Sequence, residues 1–283
     1  MILAFLIIYL RFGSIRKHYY STCILRGRGI LLSVTAFTVE NIPLIKAGDD
    51  LARILNGKTE LKEHDIVVIS STIVSKSEGR IVSLDNVNVT EKAKTIAKRN
   101  DNDPRFVQAV LDESEEILLE SPFLLVRTRN GSICVNAGID HSNVEGEKNI
   151  LLLPDDPDKS ARQIKESIFK YTSKKVSVVI TDTNGRAFRI GQTGAAIGIA
   201  GIKASRDWRG TKDLFGRVLE VKNEAVVDEI AGFANILMGE GNGGTPIVII
   251  RGMGMYHESY GIRELFRPEK EDVIRRALKS LSA

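Results

Sequence analysis

The stretch Phe123-Leu-Leu-Val-Arg-Thr-Arg-Asn130-Gly131-Ser-Ile-Cys-Val135 decides the fold class. Two runs of strand formers, Phe123 to Val126 and Ile133 to Val135, flank an Asn-Gly pair. Asn-Gly accepts the positive φ angles of a tight reverse turn at little cost, so the spacing predicts an antiparallel hairpin. Upstream, Thr90 caps a predicted helix through Lys98, and Asp103-Pro104 places a cap and a first-turn proline ahead of Val107, Val110 and Leu111. Ile66 to Ile69 is a four-residue apolar run, the length of a buried strand. Nearer the start, Asp49 and Asp50 open a short helix that Gly57 closes, after a strand marked by Val34, Phe37 and Val39. Downstream, Asp156-Pro157 opens a helix through Phe169, and Val176 to Ile180 and Ile247 to Ile250 read as buried strands. Glu224 to Met238 is the helix between them, and Glu269 to Leu281 the last one. The pattern predicts an α+β fold: mixed, largely antiparallel sheets with flanking helices.

The chain has 283 residues, 43% apolar and 27% charged, enough for a large core without low-complexity segments. Cys23 and Cys134 match no metal or redox spacing, which fits a reducing cytoplasm. The net charge of +4 is concentrated at the start, where Arg11, Arg16, Lys17, Arg26 and Arg28 precede the first carboxylate, Glu40. Residues 31–283 are close to neutral and carry no basic stripe interleaved with aromatics, so a nucleic-acid partner is not expected. The apolar run from Met1 to Leu10 would span about 15 Å as a helix, half of a bilayer core, so no stable membrane span is expected. Residues 1–30 are read first as a translated upstream stretch, with a peripheral anchor or a buried terminal element as alternatives. The first reading needs a non-Met start near Leu31 or Val34, since no internal Met precedes Met238. Residues 31–283 then form the working domain, with room for two intertwined lobes.

Familiar nucleotide signatures are absent. No GxxxxGK[ST] string occurs, and Gly252-Met-Gly254 lacks the third glycine of a dinucleotide fingerprint, which excludes P-loop and Rossmann readings. No GxSxG or HExxH appears, and His18, His64, His141 and His257 are scattered. Fourteen of the 24 glycines fall between Gly185 and Gly254, a density that predicts a backbone in close approach to something.

Polar clusters stand at the ends of apolar strands. Val135-Asn-Ala-Gly-Ile-Asp140-His-Ser-Asn143 leaves the hairpin with an acid and an amide, and Ile180-Thr-Asp182-Thr183-Asn-Gly185-Arg186 ends a strand with a carboxylate beside a hydroxyl. Met238-Gly239-Glu240-Gly241-Asn242-Gly243-Gly244-Thr245 joins a helix to a strand through glycines and one acid. Oxygen donors of this kind suit Mg²⁺ or Mn²⁺ held together with substrate phosphates. Taken singly, Asp140 and Asp182 also fit ordinary turn or cap residues. Ser70-Ser71-Thr72-Ile-Val-Ser75-Lys76 fits a phosphate cradle or equally a solvated strand end.

In combination these strings resemble one family, the GTP-dependent coenzyme F-420:L-glutamate ligases. The matching segments are IPLI at Ile42–Ile45, SSTIVSKSEGR at Ser70–Arg80, DPRFVQAVLDES at Asp103–Ser114 and VRTRNGSICVNAGIDHSNV at Val126–Val144. LLLPDDPDKSAR at Leu151–Arg162, ITDTNGRAFRIGQTGAAIGIAG at Ile180–Gly201, RDWRGTKDLFGRVLEV at Arg206–Val221 and MGEGNGGTPIVIIRG at Met238–Gly252 complete the set. Residues 1–30 have no counterpart in it, and the chain is too short for the flavin-binding half of two-domain members.

The resemblance implies a ligase that joins L-glutamate to the lactyl carboxylate of a deazaflavin precursor, with a second γ-linked glutamate in many members, and releases GDP and phosphate. It implies nucleotide contacts at Ile42, Pro43, Leu44, Ile45, Ser71, Thr72, Lys76, Asn143 and the loop Met238 to Thr245. Asp140, Asp182 and Thr183 match ligands of two divalent ions; Glu240 stands where another polar residue can serve. K⁺ assists members of the family, which work as homodimers. The chemistry calls for an acyl phosphate, with Lys76 and Arg186 or Arg189 offsetting the repulsion between two anions. No covalent nucleophile is required. Another carboxylate–amine ligase, or a silent nucleotide-binding regulator, is the alternative.

Overall fold

The computed structural model describes residues 20–27 and 30–282. The apolar run at residues 1–10 lies outside them. Strand β1 (Tyr20–Gly27) pairs antiparallel with β2 (Ile30–Thr38). The short helix α1 (Leu51–Asn56) follows, with the Asp50 carboxylate accepting from Arg53 N and Gly57 closing it as predicted. Strand β3 (Ile66–Ser70) is buried along Ile66 to Ile69 and runs straight into α2 (Ser71–Ser77), whose N-cap is Ser70.

A separate body then interrupts the main sheet. It comprises β4 (Ile81–Ser83), α3 (Glu91–Asn100), α4 (Pro104–Asp112), β5 (Ser114–Leu119), β6 (Leu125–Thr128), β7 (Ile133–Val135) and β8 (Asn149–Leu151). Thr90 and Asp103 cap α3 and α4, with Pro104 in the first turn. The Asn130-Gly131 turn joins β6 to β7, and β5 extends the hairpin to three strands. This body has a core of its own, built on Ile96, Val107, Val110, Leu124, Val126 and Ile150.

The main sheet resumes after α5 (Pro157–Thr172), with β9 (Ser177–Arg186) and β10 (Arg189–Ile202). A two-stranded ribbon, β11 (Arg206–Asp207) with β12 (Asn223–Glu224), frames an exposed loop. Helix α6 (Val226–Met238), β13 (Ile247–Arg251), β14 (Tyr256–Tyr260) and α7 (Val273–Ser282) complete the chain. The seven-stranded sheet has the order β1-β2-β13-β3-β9-β10-β14, antiparallel at each pairing except β3 with β9. One face packs Leu55, Ile73, Ile168, Val178 and Ile180 under α1, α2 and α5. The other packs Val68, Val179, Val227, Ile230 and Ala234 under α6. The fold is α+β and largely antiparallel, without a glycine loop between β3 and α2.

The 14-residue strand β10 is absent from the sequence reading, because Gly191, Gly194, Gly198 and Gly201 make it look like loop. Its glycines answer to helices. A Cβ on Gly194 would stand 2.6 Å from the Ala231 carbonyl oxygen in α6, and one on Gly198 would stand 2.4 Å from Pro157 backbone in α5. The glycine density therefore serves helix–sheet packing as well as loops.

Candidate active site

One end of the main sheet collects the polar clusters, and the strand registers explain why. Thr38 pairs with Val248, Ile247 with Ile69, and Ser70 with Thr181, so β2 and β3 end and β13 begins at the same edge. The segments that follow β2 (Ile42 to Ile45), follow β3 (Ser71 to Lys76) and precede β13 (Gly239 to Thr245) must emerge together there. β9 runs on past this edge with β10 as its one paired strand among the described residues, and Asp182 is its first residue beyond the pairing with β3.

Adjacent residues of a strand leave on opposite faces. Asp182 accepts a hydrogen bond from Ser71 Oγ at 2.7 Å, on the side of α2. Thr183 Oγ1 donates to Glu240 Oε1 at 3.0 Å, and Asn235 Nδ2 donates to the same oxygen at 2.7 Å, on the side of α6. A ligand placed at the sheet end can reach both. Thr245 Oγ1 donates to the Met238 carbonyl at 3.1 Å and so closes the glycine loop.

The inserted body contributes the third wall. Asp140 is held by a backbone bridge to Leu151 and by the Ser142 N–H at 2.8 Å, with the Ser142 hydroxyl as a further donor. Lys76 Nζ crosses to the Asn143 carbonyl at 2.5 Å. Burial lowers the Lys76 ammonium pKa, and the charge of Asp140 partly opposes this. Burial pushes the Asp182 carboxyl up to about 6, against hydrogen bonds from Ser71 and the Thr183 N–H, with Asp140 and Glu240 adding repulsion. A desolvated carboxylate under the repulsion of two others, one of which also acts on Lys76, is an electrostatic arrangement that a polyvalent cation would relieve.

Among the described residues no three His, Cys, Asp or Glu side chains gather closely enough to cage a metal ion by themselves. The donor set fits an ion that takes part of its shell from phosphate oxygens and water. Arg186 and Arg189 do not join Lys76. They face each other at the exposed tip of the β9–β10 ribbon, where Arg186 donates only a long 3.4 Å contact to the Ile190 carbonyl. From Asp182 to Arg186 the strand rises about 13 Å. Asn235, which shares Glu240 with Thr183, was not singled out by the sequence, since a mid-helix Asn carries no motif.

Comparison with known proteins gives a consistent result. A profile of the family described as "F420-0:Gamma-glutamyl ligase" matches residues 40–252. The chain is 54% identical over 248 residues to the "Coenzyme F420:L-glutamate ligase" of Archaeoglobus fulgidus, covering 88% of this chain and 99% of that one. It is 53% identical over 247 residues to the protein of the same name from Methanosarcina barkeri, covering 87% and 96%. No helix of the described residues is long and apolar enough to cross a membrane.

Proposed function

The chain belongs to the F420-0:gamma-glutamyl ligase family, and from that premise we propose that it adds L-glutamate to the lactyl carboxylate of the deazaflavin precursor of coenzyme F-420, using GTP. The observation that carries this reading is the meeting of Ser71, Asp182, Thr183, Glu240, Lys76 and Asn143 at the one sheet end where the strand-following loops emerge.

The triphosphate lies across that end, bracketed by the segments Ile42 to Ile45, Ser71 to Lys76 and Met238 to Thr245. Asp140, Asp182, Thr183 and Glu240 would hold Mg²⁺ or Mn²⁺, which supplies positive charge against the phosphates. Lys76 faces the same space and offsets the approach of two anions. The acceptor carboxylate oxygen bonds to the γ-phosphorus and the bond to the β-phosphate oxygen breaks, giving an acyl phosphate and GDP. The glutamate amine then bonds to the acyl carbon, inorganic phosphate departs with the bonding pair, and the amine proton passes to solvent. No side chain becomes covalently attached, so positioning and charge carry the rate.

A homodimer and a role for K⁺ complete the proposal. The exposed tip of the β9–β10 ribbon, with Phe188 96% and Ile190 100% accessible, supports an apolar contact there. Incubation with GTP, Mn²⁺, glutamate and the precursor, followed by mass, should show the mass gain of one glutamyl unit with GDP release. Equal turnover with ATP would refute the guanine preference, and absence of product with either nucleotide would refute the ligase.

A further inference from the structure

Strand β10 carries a bulge beside the candidate site. Ala196 pairs with Thr181 and Gly198 with Ile180, so Ile197 and Gly198 together oppose one residue of β9. Ile197 packs into the core under α5, and Gly198 lies against Pro157 at the start of the same helix. The backbone N–H groups on either side end on carboxylates. Ala196 N–H donates to Asp228 Oδ1 at 3.0 Å, and Ile199 N–H donates to Asp158 Oδ1 at 2.9 Å. Asp158 also receives the Ile262 N–H, at 3.1 Å to each oxygen. The two acids sit in the first turns of α5 and α6, helices on opposite faces of the sheet.

The consequence for the site follows from what holds β9. From Asp182 onward β3 no longer pairs with it, and β10 is its lateral support, with Ala195 opposite Asp182 and Gly194 opposite Thr183. A bulge bends its strand and raises the local twist, so the directions of Asp182 and Thr183 depend on how firmly the bulge is held. We propose that Asp158 and Asp228 are positioning residues for this site, gripping the bulge from both faces so that β9 presents Asp182 toward α2 and Thr183 toward α6. This rests on the reading of Asp182 and Thr183 as working groups of the ligase.

Three variants test it: Asp228→Ala, Asp228→Asn, which keeps an oxygen acceptor for Ala196, and Asp228→Ser, which sets a smaller acceptor further back. Amide hydrogen exchange is read segment by segment, without substrate, and kcat and KM for GTP are measured beside it. In Asp228→Ala, exchange at residues 181–184 should speed by about tenfold while α3 and α4 stay unchanged. kcat should fall by about tenfold with KM for GTP within about twofold. The asparagine variant should recover most of both losses, with serine between the two; where the alanine variant does not fold, the order of asparagine above serine decides. Exchange at 181–184 equal to wild type, acceleration spread evenly over the chain, or an asparagine variant no better than serine overturns the proposal. If the wild type forms no glutamyl product, the ligase reading fails, and the exchange data still judge the clamp.

Discussion

Asp182 is held at an energetic disadvantage. Burial and the charges of Asp140 and Glu240 raise its pKa to about 6, and the hydrogen bonds from Ser71 and the Thr183 N–H recover only part of the loss. A group with a raised carboxyl pKa destabilises the folded state wherever it is ionised, so its removal should not unfold the protein. Asp182→Asn is expected to melt at or above the wild-type temperature at pH 7 while kcat falls by about 10²–10³-fold, the scale of losing one preorganised electrostatic contact. Asp140→Ala should lose activity similarly, and the double variant should lose far less than the product of the two, because both side chains serve one site. Calorimetry paired with turnover checks this, and near-wild-type turnover in either single variant would remove the metal assignment. The acids were legible as strand-end residues. Their partners were not: Asn235 meets Glu240 because the glycine loop turns back over the end of α6, and Lys76 meets Asn143 across the boundary with the inserted body.

Elements were legible where a local rule sufficed. Asp50, Thr90, Asp103 and Asp156 each cap the helix they were expected to open, since a side-chain oxygen reaching an N–H two or three residues on needs no tertiary context. β10 was not legible, because its small residues are chosen by α5 and α6 and not by strand propensity. Helix α7 shows how an element at the chain's end is fixed from outside. Glu116 of β5 receives Arg275, Lys279 at 2.6 Å and Arg127 at 3.1 Å. Burial alone would raise the Glu116 pKa, but the bonds from Lys279, Arg275 and Arg127 bring it from 4.5 to about 2. A depressed carboxyl pKa contributes stability above the unfolded value and loses it as pH falls from about 4.5 toward 2. Glu116→Gln should therefore cost about 2 kcal/mol at pH 7 and much less near pH 2, as read from denaturant midpoints at the two pH values. At one edge of the seven-stranded sheet, β1 has β2 as its one paired strand among the described residues. A chain beginning at Leu31 keeps Thr35 to Thr38 on β13. It should retain full turnover and melt within about 5 °C of the full-length protein; loss of activity would show that residues before Leu31 belong to the working unit.

At the scale of the whole molecule, large apolar side chains remain uncovered far from the core. Phe188 and Ile190 at the ribbon tip, and Leu214 and Phe215 on the loop between β11 and β12, are each at least 89% accessible. These residues are where the proposed contact between two copies of the chain is tested. In the proposed dimer the ribbon tip is the contact, so Ile190→Lys is expected to give a monomer by light scattering where the wild type gives a dimer, with turnover reduced by about tenfold. An Ile190→Lys protein with an unchanged molar mass would remove the ribbon tip from the proposed contact.

The strand order also sets a timetable for synthesis. Ile66 pairs with Ser177 on one side and with Ile250 on the other, so both neighbours of β3 leave the ribosome long after β3 itself. The inserted body, whose contacts are nearer in sequence, can form while β3 still waits. Closing loops of that length precedes any reward from pairing, which slows folding and leaves the apolar run Ile66 to Ile69 uncovered in the growing chain. β13 must arrive before β2 and β3 share a neighbour, and the glycine loop ahead of it arrives at the same moment. The end that carries the candidate site is thus among the last parts of the nascent protein to take shape, and a chain released before Arg251 would carry Asp182 and Lys76 without the strand that brings their loops together.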